Sequence, residues 1–156
     1  MKKLLLFVSV FATTIINAQN FSVSAKTGDN ELDVSLSNIN TNAKADINLF
    51  KKDLSIEFNI GEPKIDKMLE IQMSPADIFM TLQVADIVKK DPDVVCESYK
   101  KNKDKGWGLI AKELGVKPGS PEFHALKGKA KNKKEKKNGN GNGQGKGNGK
   151  GKGKNK

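Results

Sequence analysis

From Lys127 to Lys156 the chain holds twelve lysines and one acid, Glu135, and from Gly139 to Gly153 every second residue is glycine. Glycine maximises the backbone entropy that ordering must overcome, neighbouring lysines repel, and no apolar side chain follows Ala130 to compensate. Residues 128–156 are therefore expected to form a disordered Lys/Gly/Asn-rich tail, which confines folding to the rest of the chain. The tail also accounts for the basic character. Residues 127–156 carry +11 while the whole chain carries +10, so everything before them sums to −1, and the pI of 9.6 describes the tail.

The opposite end carries an address. Met1-Lys2-Lys3 is a short positive segment, Leu4 to Ile16 is an apolar run, and Ile16-Asn17-Ala18 before Gln19 fits a small-residue cleavage site. A membrane span needs about 20 apolar residues, and this run is shorter and interrupted by Thr13 and Thr14. The reading is a signal peptide over 1–18 and an exported protein, periplasmic or secreted. Residues 19–127 are then the folded domain, long enough for one core. Cys96 is the only cysteine, so no intramolecular disulfide can form, and its apolar neighbours in DVVCESY suggest a small buried hydrophobe.

The expected fold is mainly α, a compact bundle of short helices with a possible small N-terminal β-hairpin; the alternative is α+β with an N-terminal antiparallel meander. Phe21, Val23 and Ala25 alternate with serines, Gly28-Asp29-Asn30 offers turn chemistry, and Leu32, Val34 and Leu36 alternate again, which reads as a hairpin. Residues 43–58 fit either period. Ile47, Phe50, Leu54 and Phe58 form a helical stripe, whereas Leu54, Ile56, Phe58 and Ile60 alternate; the helix is preferred, ending at Asn59 and Gly61. Another helix opens at Glu62-Pro63 and runs to about Ile71. Ser74-Pro75-Ala76-Asp77, Asp91-Pro92-Asp93 and Ser120-Pro121-Glu122 share one start signal: a capping oxygen, a proline at the first helical position, an acid in the first turn. They predict helices over 75–90, 92–102 and 121–128, with another over 106–114. The segment 76–90 is apolar on most sides and belongs in the middle of the bundle.

Gly106-Trp107-Gly108-Leu109-Ile110-Ala111-Lys112-Glu113-Leu114-Gly115-Val116 has the shape of the first helix and turn of a helix-turn-helix unit. The continuation departs from it, because Pro118 and Pro121 interrupt the second helix and Glu122 would face phosphate. The longer string Lys105–Lys127 (KGWGLIAKELGVKPGSPEFHALK), with Pro75-Ala76-Asp77 before it, resembles a signature of a family of small exported bacterial proteins of unassigned function. That resemblance implies a helical, exported protein and supplies no catalytic residues. Independently of it, Trp107 reads as a core anchor, Gly106 and Gly108 as points of close approach, and Pro118-Gly119-Ser120 as a turn.

Chemistry-bearing constellations are sparse. His124 is the only histidine and, beside Phe123 and Leu126, reads as a partly buried structural residue; one histidine and one cysteine make no zinc pattern. Asp29, Glu31 and Asp33 lack calcium-loop spacing and read as a solvated face. Glu113 and Glu122 could pair for acid/base work, but suit exposed helix positions better. No phosphate-cradling glycine loop precedes a helix. An enzyme is not expected, nor a cofactor. The expected function is non-catalytic: adhesion of the tail to anionic polymers, whether lipopolysaccharide, acidic glycan or extracellular nucleic acid, with an unknown partner for the folded domain. The residues assigned to it are Lys129, Lys131, Lys133, Lys134, Lys136, Lys137, Lys146, Lys150, Lys152, Lys154 and Lys156. All 28 basic residues are lysine, a mobile point charge that is drawn to polyanions but reads little detail in them. The alternative is a nucleic-acid binder that uses the helix-turn-helix-like segment 106–127 together with the tail.

Overall fold

The computed structural model describes residues 25–135. The segment read as a signal peptide with its expected cleavage point, Phe21 and Val23 of the expected hairpin, and residues 136–156 lie outside the described residues. Within them there are seven α-helices and a 3-10 turn at Lys103–Lys105, and no strand.

Helix α1, Asn30–Ala45, occupies the place expected for the second half of the hairpin, and the hairpin and meander readings are corrected here. Gly28-Asp29-Asn30 is a helix start. The Asp29 carboxylate accepts the Leu32 amide at 2.9 Å, and Glu31 and Asp33 sit in the first turn against the positive end of the dipole. Leu32, Leu36, Ile39 and Ala43, spaced by four, three and four, are all buried, while Val34 is 56% exposed. A strand would have put Val34 on the same face as Leu32 and Leu36; a helix separates them.

Helix α2, Ile47–Phe58, begins one residue after Asp46, whose carboxylate accepts the Leu49 amide at 3.0 Å. The stretch expected as one helix from residue 43 therefore straddles two, because residues 43–45 close α1. Asn59, in the left-handed conformation, ends α2 where expected. Helix α3, Glu62–Glu70, is followed by α4, Pro75–Val88, whose start is a full capping box between Ser74 and Asp77. Helices α5, Pro92–Asn102, and α6, Trp107–Glu113, follow. Helix α7 runs from Pro121 to Glu135, and the Ser120 hydroxyl accepts the Phe123 amide at its start.

The bundle is organised around α4. Residues 75–85 are all buried, and α4 touches α1, α2, α3, α5 and α7. Phe79, Trp107, Leu32, Leu54, Ile65 and Ile110 fill the centre. The most extensive helix pairing joins the first and last helices, α1 and α7. That pairing overturns the boundary at 127/128. Residues 128–135 are helical, Ala130 is fully buried, and the folded unit runs eight residues further than the composition suggests.

Residues 25–27 form a strap across the start of α6. That helix has no side-chain cap; its first amides are taken by the strap, Trp107 N–H donating to the Ala25 carbonyl at 2.9 Å and Gly108 N–H to the Lys26 carbonyl at 3.1 Å. The far end is pinned to α1, where the Thr27 amide and hydroxyl both donate to the Asp33 carboxylate, at 3.0 and 2.9 Å. A Cβ on Gly108 would lie 2.6 Å from the Thr27 carbonyl oxygen, which is the close approach the glycines were expected to allow.

Candidate polyanion interface on the last helix

Helix α7 sorts its lysines by face. Leu126 and Ala130 point into the core, and the lysines flanking that stripe are held by carboxylates of the body. Lys127 Nζ lies 2.9 Å from Asp29 and 3.1 Å from Glu31; Lys133 Nζ lies 2.9 Å from Glu57 and 3.7 Å from Asp53. The Lys133 side chain is only 7% exposed, its stem lying along apolar surface with the ammonium in its ion pairs. Lys129 and Lys131, by contrast, are exposed.

Of the eleven lysines assigned to polyanion binding, Lys129 and Lys131 are therefore displayed on a helix, whereas Lys133 is engaged internally, which corrects its assignment to an unstructured tail. Lys134 lies in the last turn of α7, which likewise places it on the helix. Lys136, Lys137, Lys146, Lys150, Lys152, Lys154 and Lys156 lie outside the described residues. Lys127, the other lysine engaged by the body, was not singled out in the sequence; no local signal pairs it with Asp29, 98 residues away.

Asp29 does two jobs at once, capping α1 through one oxygen and pairing with Lys127 through the other. The Leu32 amide first, and Lys127 next, hold its carboxyl below the usual aspartate range. A folded-state pKa below the unfolded value contributes stability that is present above about pH 4 and is lost as pH falls through the folded value. Asp29→Asn should accordingly lower the melting temperature at pH 6 and flatten its decline between about pH 4 and pH 2. A series of thermal melts over that range checks this, and parallel curves for both proteins would refute it. Glu31 and Asp33 are likewise engaged, by Lys127 and Thr27.

The helix-turn-helix-like pair consists of α6 and α7, but α7 takes α1 as its main partner. Glu113 and Glu122 are exposed on different helices, and Glu113 accepts from the Asn102 amide. His124 is exposed, its ring 6.3 Å from that of Phe123, so the partly buried position expected for it is corrected. Cys96 is buried; its thiol donates to the Met73 thioether at 3.8 Å, and burial pushes its pKa up, away from thiolate chemistry.

The feature least legible in the sequence is a carboxylate hub at Asp77, 8% exposed. One oxygen accepts Trp107 Nε1–H at 2.7 Å. The other accepts the Tyr99 hydroxyl at 3.0 Å and the Ser74 hydroxyl and amide at 2.7 and 3.2 Å. Tyr99 stacks on Trp107 with ring centroids 5.5 Å apart, and burial, then the Asp77 charge, raises its pKa well above the usual tyrosine range. Four donors converge on the two carboxylate oxygens, one on the first and three on the second, so this group ties α4, α5 and α6 together. Among the described residues no helix is long and apolar enough to cross a membrane. Comparison of the chain with family models, with curated proteins and with solved structures gives no match.

Proposed function

We propose that this is a non-catalytic exported accessory protein whose lysine-rich C-terminus adheres to anionic polymers, the shared chemistry of lipopolysaccharide phosphates, acidic glycans and extracellular nucleic acid. The observation that carries the reading is the partition of charge, +11 from Lys127 onward against −1 before it. Helix α7 supports it: the body's carboxylates engage Lys127 and Lys133, while Lys129 and Lys131 remain on the open face. Seven further lysines follow Glu135 with no acid among them. Binding of this kind works by counterion release and needs no shaped pocket. The export signal and the absence of arginine favour a surface that is coated over a sequence that is read.

The test is salt-titrated binding of the mature chain, and of a chain ending at Glu135, to lipopolysaccharide, heparin and duplex DNA. Truncation should remove most of the affinity and most of the salt slope, since each neutralised phosphate contributes about 0.9 to that slope on DNA. Equal affinity and slope for the two chains would eliminate the reading. The expected order of preference follows charge density, so a strong preference for one DNA sequence would point to the helix pair α6–α7 instead.

A further inference from the structure

We infer that residues 129–135, the last two turns of α7, are a releasable clasp: a cationic segment that the folded body holds by ion pairing and that a polyanion competes for. The identity of the competitor rests on the function proposed above; the release itself does not.

Four observations converge on this segment. The first half of α7 is anchored by Phe123 and the buried Leu126, by the Ser120 cap and by the Lys127 ion pairs. Among its described side chains the second half offers the core only Ala130 and the stem of Lys133. Between the halves stands Gly128, in helical backbone, with nothing within 4 Å of where a Cβ would be. No packing requires a glycine there, so its effect is to weaken the helix at the junction. Beside Lys133 lies an open groove of about 80 Å³ lined by Ile39, Ala43, Leu49, Phe50 and Asp53, among others, so this part of α7 is packed on one side only.

The segment's own sequence also opposes the helix. Lys129 and Lys133 are four apart, as are Lys127 and Lys131, and like charges at that spacing destabilise a helix. What offsets this is the pair of carboxylates on α2, Asp53 and Glu57, which receive Lys133. A bond of that kind is exchangeable, because sulfate or phosphate can replace carboxylate at the ammonium without any apolar core being broken. Opening would free Lys133 to join Lys129 and Lys131, and would uncover more of the groove.

Hydrogen exchange on the full mature chain, with heparin as the probe, tests the clasp. Amides of 129–135 should lose protection in heparin and in about 1 M NaCl, where charges are screened beyond about 3 Å, while those of 121–127 keep it. The Asp53→Asn/Glu57→Gln double variant should show the unprotected segment already at low salt. It should also bind heparin several-fold more tightly, with a salt slope steeper by about one unit. A charge-matched Glu70→Gln/Asp104→Asn variant should leave protection of the segment unchanged. Gly128→Ala should do the opposite of the double variant, slowing exchange and weakening heparin binding. Heparin binding with 129–135 still protected overturns the clasp and leaves the polyanion reading intact. Release by salt with no heparin binding overturns the polyanion reading and leaves the clasp. Exchange of 129–135 in step with α1 and α4 under every condition also overturns the clasp.

Discussion

Asp77→Ala is expected to lower the melting temperature by about 15 °C, one of the two largest single-residue effects in this domain. The substitution removes no large apolar side chain. Its cost comes from the donors left behind: the Trp107 indole N–H, which is 1% exposed and cannot reach water, the Tyr99 hydroxyl, and the Ser74 hydroxyl and amide, the amide bond being the half of the α4 capping box that Asp77 supplies. A buried donor stripped of its acceptor costs about 1–3 kcal/mol, and losing the reciprocal half of a capping box about 1 kcal/mol, while Ser74 still caps the residue-77 amide. Together these come to about 4 kcal/mol, and each kcal/mol shifts the melting point of a domain near this size by about 4 °C. Asp77→Asn keeps an oxygen for Trp107 but turns an amide toward Tyr99 and Ser74, so about half the loss should remain. Melting curves followed at 222 nm give the number, and tryptophan fluorescence reports whether Trp107 has become wet. A change of only about 3 °C for the alanine variant would show that the hub is not what joins α4, α5 and α6.

The second large effect is expected at Gly106→Ala. Gly106 has φ +85° and ψ 170°, backbone open essentially to glycine alone, and a Cβ there would run into the Cβ of Lys26. Holding a side chain in such a region costs about 1–3 kcal/mol. Displacing the strap also strips α6 of the two carbonyls that cap it. The combined loss should be about 3–4 kcal/mol, and the Trp107 and Gly108 amides should exchange much faster than those of α4. Gly119→Ala is the control, since φ is +77° there but nothing lies within 4 Å, and it should cost only about 1 kcal/mol. Equal effects at Gly106 and Gly119 would mean that the strap contributes nothing.

The helices of this fold are written locally wherever a cap is written locally. Ser74-Pro75, Asp91-Pro92 and Ser120-Pro121 each carry oxygen, proline and acid within four residues, and each marks a helix start correctly. Asp29-Asn30-Glu31 carries the oxygen and the acid but no proline, and the alternation of Leu32, Val34 and Leu36 competes with it. Tertiary contact decides the matter, because burying Leu32, Leu36, Ile39 and Ala43 against α4 and α7 satisfies all four and leaves Val34 outside. The end of the domain was hidden for a related reason. A lysine-rich run looks unfoldable on composition, and contacts far away in the chain, Ala130 in the core and Lys133 on the acids of α2, hold residues 128–135 as a helix. The Asp77 hub draws on residues 22 and 30 positions away and leaves no local trace. The exposed lysines of the candidate interface were legible because charge density needs no geometry; the engagement of Lys133 was not.

The pairing of α1 with α7 has a temporal consequence. Asp29 meets Lys127 across 98 residues, so a chain that emerges from the ribosome N-terminus first cannot finish its core until almost the whole domain has been synthesised. Until then the apolar stripe of α1 lacks its principal cover, and any factor that handles the newborn polypeptide meets that stripe with α7 still missing from it.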